Sequence, residues 1–352
     1  TTATNGYNVG VGTSAGGAVT TGINNTIVGG LAGDALTDAD ANVAVGMSAL
    51  GTDTLGSRST AVGYSSLATQ NYTTATNSYN VAMGYGSGGS TTTGIQNTLI
   101  GSLSGNSFTD ADYNVAIGHA ALTTDTKGSR SVAVGYAALN AQNFTTATNS
   151  YNVAVGSNAG VSITTGIQNT IIGALAGDAL TDADYNTAVG LATLGADTLG
   201  SRSTAVGYGA LTTQNFTTAT NAYNTAVGMN AGLDVTTGFQ NTFLGGEAGA
   251  NITDADYNVA VGYAALNADT LGSRSVALGY ATLLNQNFTT ATDSYNTAVG
   301  TEAGNDITTG TGNTLLGGLV GDSLTDADAN VAIGYLALTR DTLGSRSVAI
   351  GY

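Results

Sequence analysis

The sequence predicts an all-β protein built as a parallel β-solenoid, a β-roll or β-helix of about 20 coils, on three observations. A glycine recurs every 17 residues, stretched to 21 at every fourth step; a short β-branched segment precedes it each time; and columns of Asn and Thr keep one register with it. The glycines run Gly12, Gly29, Gly46, Gly63 and Gly84 and continue to Gly351, 20 in all. Four coils make a higher unit of 72 residues, the constant spacing of Asn8, Asn80, Asn152, Asn224 and Asn296. The expected organisation is one continuous solenoid over residues 1–352, with super-repeats 1–72, 73–144, 145–216, 217–288 and 289–352.

The strand is the strongest element. One residue before each glycine stands a large aliphatic such as Val11, Val28, Val45 or Met83, and three before it stands Val or Thr. These positions share one face of an extended segment, and β-branched residues favour that conformation. The position between them is small (Gly10, Ala44, Ala61), except in each second coil, where Ile27, Leu99, Ile171, Phe243 and Leu315 stand. A strand apolar on both faces is expected to be buried on both. An α-helical solenoid fails, because no segment has a 3.6-residue period and Gly, Thr and Asn are poor helix formers.

The glycine column (Gly12, Gly29, Gly46, Gly63) is expected to mark a corner that needs positive φ or close backbone approach. Four residues before it, Asn8, Asn25 and Asn42 open a ladder of 15 Asn, replaced by Ser in each fourth coil (Ser59). Stacked amides can bond one another or a turn backbone. Eight residues after the glycine, Thr20, Thr37 and Thr54 begin a matching column of 15 Thr, expected to face inward. One such coil cannot bury its apolar face alone, and stacking provides the missing partner. At about 4.8 Å per coil, 20 coils would stack to a length on the order of 95 Å.

The recurrent NVAVGMSAL (residues 42–50) and SVAVGYAAL (residues 131–139) resemble the head repeats of trimeric autotransporter adhesins and similar repeats of phage tail fibres. The resemblance extends over essentially every coil. It implies a parallel β-roll, a homotrimer, and an extracellular place on a cell-surface appendage or virion fibre. Adhesin heads generally use somewhat shorter repeats, so the 72-residue unit is a departure.

Composition narrows the function classes. Seven Lys and Arg against 23 Asp and Glu give a net charge of −16, which removes the phosphate neutralisation on which nucleic-acid binding depends. There is no Cys to form a disulfide or a thiolate metal site. No apolar run is long enough to span a bilayer as a helix, so no membrane insertion is expected.

Five candidate features remain. The pairs Asp38 and Asp40, Asp110 and Asp112, Asp182 and Asp184, Asp254 and Asp256, and Asp326 and Asp328 could offer oxygens to calcium. They lack the glycine and distal Glu of an EF-hand loop, so a solvated turn closed by Asx hydrogen bonds is the favoured reading, with no metal or other cofactor. Asp53 and Arg58, with their equivalents in each fourth coil, suggest a register-fixing ion pair. His119 is the only histidine and has no partners for catalysis. The four-residue insertion carries the N-x-Thr sequons of Asn71, Asn143, Asn215 and Asn287, candidates for glycosylation on a protruding loop; Asn24 and Asn251 add two more. The column of Tyr64, Tyr136, Tyr208, Tyr280 and Tyr352 is the candidate adhesive surface.

These observations lead to a non-enzymatic structural fibre or surface-appendage component that self-associates, as a homotrimer or an end-to-end filament. The alternative is an adhesin or receptor-binding shaft that recognises a cell-surface glycan or receptor by repetition. A glycan depolymerase would need one positioned carboxylate pair rather than five equivalent ones. An ice-binding role would need two adjacent Thr columns, and there is one.

Overall fold

A computed structural model describes residues 5–352. They form an all-β parallel solenoid of about 20 coils, and among the described residues there is no helix. The chain divides into two compact units between Ala174 and Leu175. In the first, ten three-residue strands, from Val9–Val11 to Thr170–Ile172, pair in parallel with like positions aligned. The second holds ten more, from Thr187–Val189 to Val348–Ile350, in the same register. Each strand is the segment before a column glycine, as its β-branched pattern requires.

The centre of each strand points into the coil. Ala44, Ala61, Leu99 and Phe243 are fully buried there. Volume is conserved between two positions. In the third coil of each four, where the strand centre is Ala, the residue four after the column glycine is large, as with Leu50, Leu122 and Leu266, all fully buried. In the first coil, where Ala82 and Ala226 are followed by Gly88 and Gly232, the bulky Leu99 or Phe243 of the next coil reaches in, 2.8 Å from where a Cβ of that glycine would lie. Where the strand centre is bulky, that residue is Gly: a Cβ on Gly249 would lie 2.4 Å from the Phe243 ring. Close-packed interiors tolerate such exchanges only when the total volume is kept. This accounts for the large residue at the strand centre in the second coil of each four, a position that is otherwise small.

The opposite strand face is only half covered. Val43, Val45, Val115 and Ile117 are intermediate in exposure, and Met83, Leu244 and Leu316 are exposed. The expectation of burial on both faces therefore holds for one face, because among the described residues nothing covers the other completely.

The column glycines meet both expectations made of them. Gly118 has φ 133°, and a Cβ there would sit 2.3 Å from the carbonyl oxygen of Gly135 in the next coil. No L side chain fits so close to a backbone oxygen.

Candidate functional site: a buried polar centre and two surface columns

The Asn ladder is internal from Asn25 onward, while Asn8 is exposed. The amide N–H of Asn42 donates to Asn25 Oδ1 at 2.9 Å, while Asn42 Nδ2 donates to the Gly56 carbonyl at 2.8 Å. Asn25 Nδ2 likewise reaches the Ala39 carbonyl at 2.7 Å, and Asn8 Nδ2 the Gly22 carbonyl at 2.7 Å. Each amide thus closes its own coil and holds the next, which satisfies groups that burial would otherwise leave costly.

The Thr column lies elsewhere than expected. Thr20 is exposed and Thr37 and Thr54 are half-buried. Thr20 Oγ1 donates to the Thr37 carbonyl at 3.1 Å and Thr37 Oγ1 to the Thr54 carbonyl at 3.0 Å. These hydroxyls line a rim and clip successive coils together there, because their acceptors are turn carbonyls near solvent.

Every fourth coil breaks the Asn ladder with Ser, and the following long coil fills the gap. Ser59, Gln70, Ser78 and Asn80 are all fully buried, together with Asp53. Gln70 Nε2 donates to Asp53 Oδ2 at 2.6 Å and to Ser59 Oγ at 3.0 Å, while Gln70 Oε1 accepts from Asn80 Nδ2 at 2.9 Å. The amide of Gly56 donates to Asp53 Oδ1 at 2.9 Å. The arrangement repeats around Asp125 and Gln142, Asp197 and Gln214, and Asp269 and Gln286. Tyr72 adds a hydroxyl that donates to the Gly94 carbonyl at 2.7 Å; its equivalents Phe144, Phe216 and Phe288 lack one. Burial, with Asp53 beside it, pushes the Tyr72 phenol up.

These aspartates do not pair with arginine, which corrects the expected ion pair between Asp53 and Arg58. Asp53 turns inward, where burial raises its pKa against the lowering effect of Gln70 and the backbone N–H groups. Burial likewise raises Asp197 and Asp269. The five-residue spacing suggested contact because both residues flank the same turn; Asp53 is buried and Arg58 is exposed.

The arginines instead form part of a surface column immediately before the Asn ladder. Arg202 stacks on Tyr185, 4.6 Å from its guanidinium carbon to the ring centre, with Tyr223 on its other side at 5.9 Å. Arg274 lies between Tyr257 and Tyr295 at 4.6 and 6.0 Å, and its Nε donates to Asp293 at 2.9 Å. Arg130 covers Tyr113 at 4.8 Å, with its Nε on Asn149 at 3.1 Å. Such contacts fall within the range of cation–π attraction. The alternation of Tyr and Arg before Asn and Ser was readable from the sequence, yet only the coil geometry makes them neighbours.

The second surface column follows the corner glycine. Tyr64, Tyr136, Tyr208, Tyr280 and Tyr352 are all exposed. Tyr64 stacks on Tyr85 with ring centres 5.5 Å apart, and Tyr263 on Tyr280 at 5.9 Å. His119, also exposed, stacks on Tyr136 at 5.6 Å.

The Asp pairs serve the coil. Asp38 Oδ1 accepts from Thr21 Oγ1 at 2.5 Å and Asp40 Oδ1 from the amide of Ile23 at 2.8 Å. Asp110 and Asp112, Asp254 and Asp256, and Asp326 and Asp328 repeat these bonds. Their acceptor oxygens look back 17 residues to the preceding coil, where a local Asx turn was expected. Asp182 and Asp184 occupy the same register. Among the described residues no group of three or more His, Cys, Asp or Glu is placed to hold a metal ion.

The insertion splits in two. Thr145, Thr146 and Ala147 are exposed, while Gln142, Phe144 and Ser150 are buried anchors. A two-residue strand, Thr148–Asn149, pairs with Gly128–Ser129 and carries the loop back to the coil. Asn71, Asn143, Asn215 and Asn287 are accepted into this edge through their Oδ1 atoms; Asn143 takes the Thr126 hydroxyl at 3.1 Å and itself remains exposed. Asn24 and Asn251 are exposed as well.

No protein-family model matches the chain, and no curated protein is significantly similar to it. The fold and its geometry are those of a parallel β-solenoid repeat protein, compatible with a β-roll.

Proposed function

We propose that this protein is a non-enzymatic structural component of an extracellular fibre or surface appendage, and that its copies associate through the outer face of the strands. The observation that carries the reading is the half-covered sheet face. Its Val, Thr, Ile and Leu side chains carry no charge over strand after strand, as in Val115–Ile117 and Thr242–Leu244. Apolar surface of that extent is characteristic of an interaction face, and an uncharged, self-similar face suits a second copy better than an unlike partner. A homotrimer closed about this face is the expected form, with an end-to-end filament as the other mode of assembly.

Sedimentation with particle imaging tests this. Trimeric or filamentous particles are expected, and a monomer at micromolar concentration would refute it. Ile100→Lys with Ile117→Lys should return the assembly to monomers without loss of β-sheet content, since both side chains lie on the outer face.

A second reading, an adhesin or phage receptor-binding shaft, is favoured by the exposed Tyr column and the protruding Thr loops. It would bind a surface glycan or receptor through many weak equivalent contacts. Binding to immobilised glycans that is lost when Tyr136 and Tyr208 become Ala would support it. Release of sugar products on incubation with capsular glycans would overturn the non-enzymatic reading.

A further inference from the structure

The tyrosines of this chain are not equivalent. Most stand alone or face an arginine, but Tyr64 and Tyr85 stack face to face with ring planes 9° apart, and Tyr263 and Tyr280 with planes 17° apart; Tyr335 and Tyr352 also approach, with ring centres 5.7 Å apart and planes tilted by 43°. Both partners in each pair are exposed. They come from successive coils, 21 and 17 residues apart in the chain, and the strand ladder holds their backbones in register. With no Cys or Trp in the chain, phenol is the most readily oxidised ring it offers.

We propose that these two stacked pairs are sites of oxidative tyrosine coupling, forming covalent staples between successive coils when a peroxidase-class oxidant is present. Each phenol gives up one electron and one proton, leaving a phenoxyl radical. The two radicals join through ring carbons ortho to their oxygens, and the two ring hydrogens move to oxygen as aromaticity returns. The pair has then lost two electrons and two protons; hydrogen peroxide takes up both and becomes two molecules of water. Coupling requires two radicals to meet within their lifetime, and a ring already stacked at 5.5 Å satisfies that without diffusion.

The same column supplies internal controls. Tyr208 stands between Leu191 and Met229 and has no phenol beside it, while Tyr136 stacks on His119. Tyr185 and Tyr223 are separated by the guanidinium of Arg202.

The test treats the full chain with a haem peroxidase and limiting hydrogen peroxide, followed by fluorescence and tryptic mass mapping. The expected products are dityrosine emission, peptide 203–274 joined to peptide 275–340 through Tyr263 and Tyr280, and an internally linked peptide 59–127, each short of two hydrogens. Tyr280→Phe should abolish the first link alone and Tyr85→Phe the second alone; Tyr208→Phe should leave both. Yield per chain should not fall on dilution. Links spread over tyrosines outside these pairs and the tilted Tyr335–Tyr352 contact, survival of the first link in Tyr280→Phe, absence of coupling, or a yield that falls with dilution would each overturn the proposal. None of these outcomes depends on whether the protein builds a fibre.

Discussion

The 17-residue coils and the 21-residue coils are closed by different chemistry. In a short coil one buried Asn both closes the loop and docks the next, so a single residue type suffices. The long coil follows a coil in which that Asn has become Ser, and it sends Gln142 into the vacated space to meet Asp125, Ser131 and Asn152. The two solutions place strands in the same register, as Val132–Val134 and Val153–Val155 show. The comparison teaches that the ladder depends on satisfying buried amides, and that the identity of the group satisfying them can change.

The largest expected effect ignores the difference between the two coil types. Gly118→Ala and Gly135→Ala each force a Cβ to 2.3 Å from a carbonyl oxygen of the next coil, one before a short coil and one before a long coil. Both should cost at least ~3 kcal/mol, the sum of a strained φ and overpacking, measured by denaturant unfolding. A cost confined to one of them would break the claim that the backbone corner is common to both.

Gln142→Leu distinguishes the two types. It removes partners from buried Asp125, Ser131 and Asn152 and should cost roughly 3 kcal/mol. Ser131→Asn should be similarly disruptive alone, because Gln142 already occupies the space, but should be partly rescued in combination with Gln142→Ala. A double-mutant cycle reads that coupling.

A smaller effect compares super-repeats. Thr91 is fully buried with no hydrogen-bond partner for its hydroxyl, where the equivalent positions are Ile163, Val235 and Ile307. Thr91→Val should stabilise the protein by about 1–2 kcal/mol, since it removes an unpaired polar atom at nearly constant volume.

Acid titration sharpens the contrast further. Asp53, Asp197 and Asp269 have folded pKa values raised by burial above 3.8. The folded chain therefore binds those protons more tightly than the unfolded chain. Their contribution is fully present below the ordinary carboxylate value and is lost as pH rises through the raised folded values. Thermal midpoints should thus depend less on pH in the triple variant Asp53→Asn, Asp197→Asn, Asp269→Asn than in the parent. The smallest effect belongs to the loop: Thr145→Ala with Thr146→Ala should shift stability by no more than ~0.5 kcal/mol, because both are exposed.

Coil length, strand position and the ladder columns were legible in the sequence because a stacked repeat turns each column into a line of contacts. The polar centre was not. Asp53 and Arg58 are close in the chain and opposite in charge, and that signal outweighed a subtler one: Ser59 and Gln70 recur together, 11 residues apart, in four super-repeats. Reading the loss of Asn and the gain of Gln as one event would have found it. The Thr column was legible as a ladder, but its depth was not, since period alone does not separate a rim from an interior.

The bridge from Asp125 through Gln142 to Asn152 has a consequence for how such a chain can change length. Its members lie on two successive strand-to-strand steps and are useless apart. Deleting or duplicating one coil near it would strand a buried carboxylate or pair a Ser with no Gln, whereas copying 72 residues carries every member along. Gene-level expansion and contraction of this protein should therefore proceed in whole four-coil blocks, with the buried aspartate acting as the proofreader of the count.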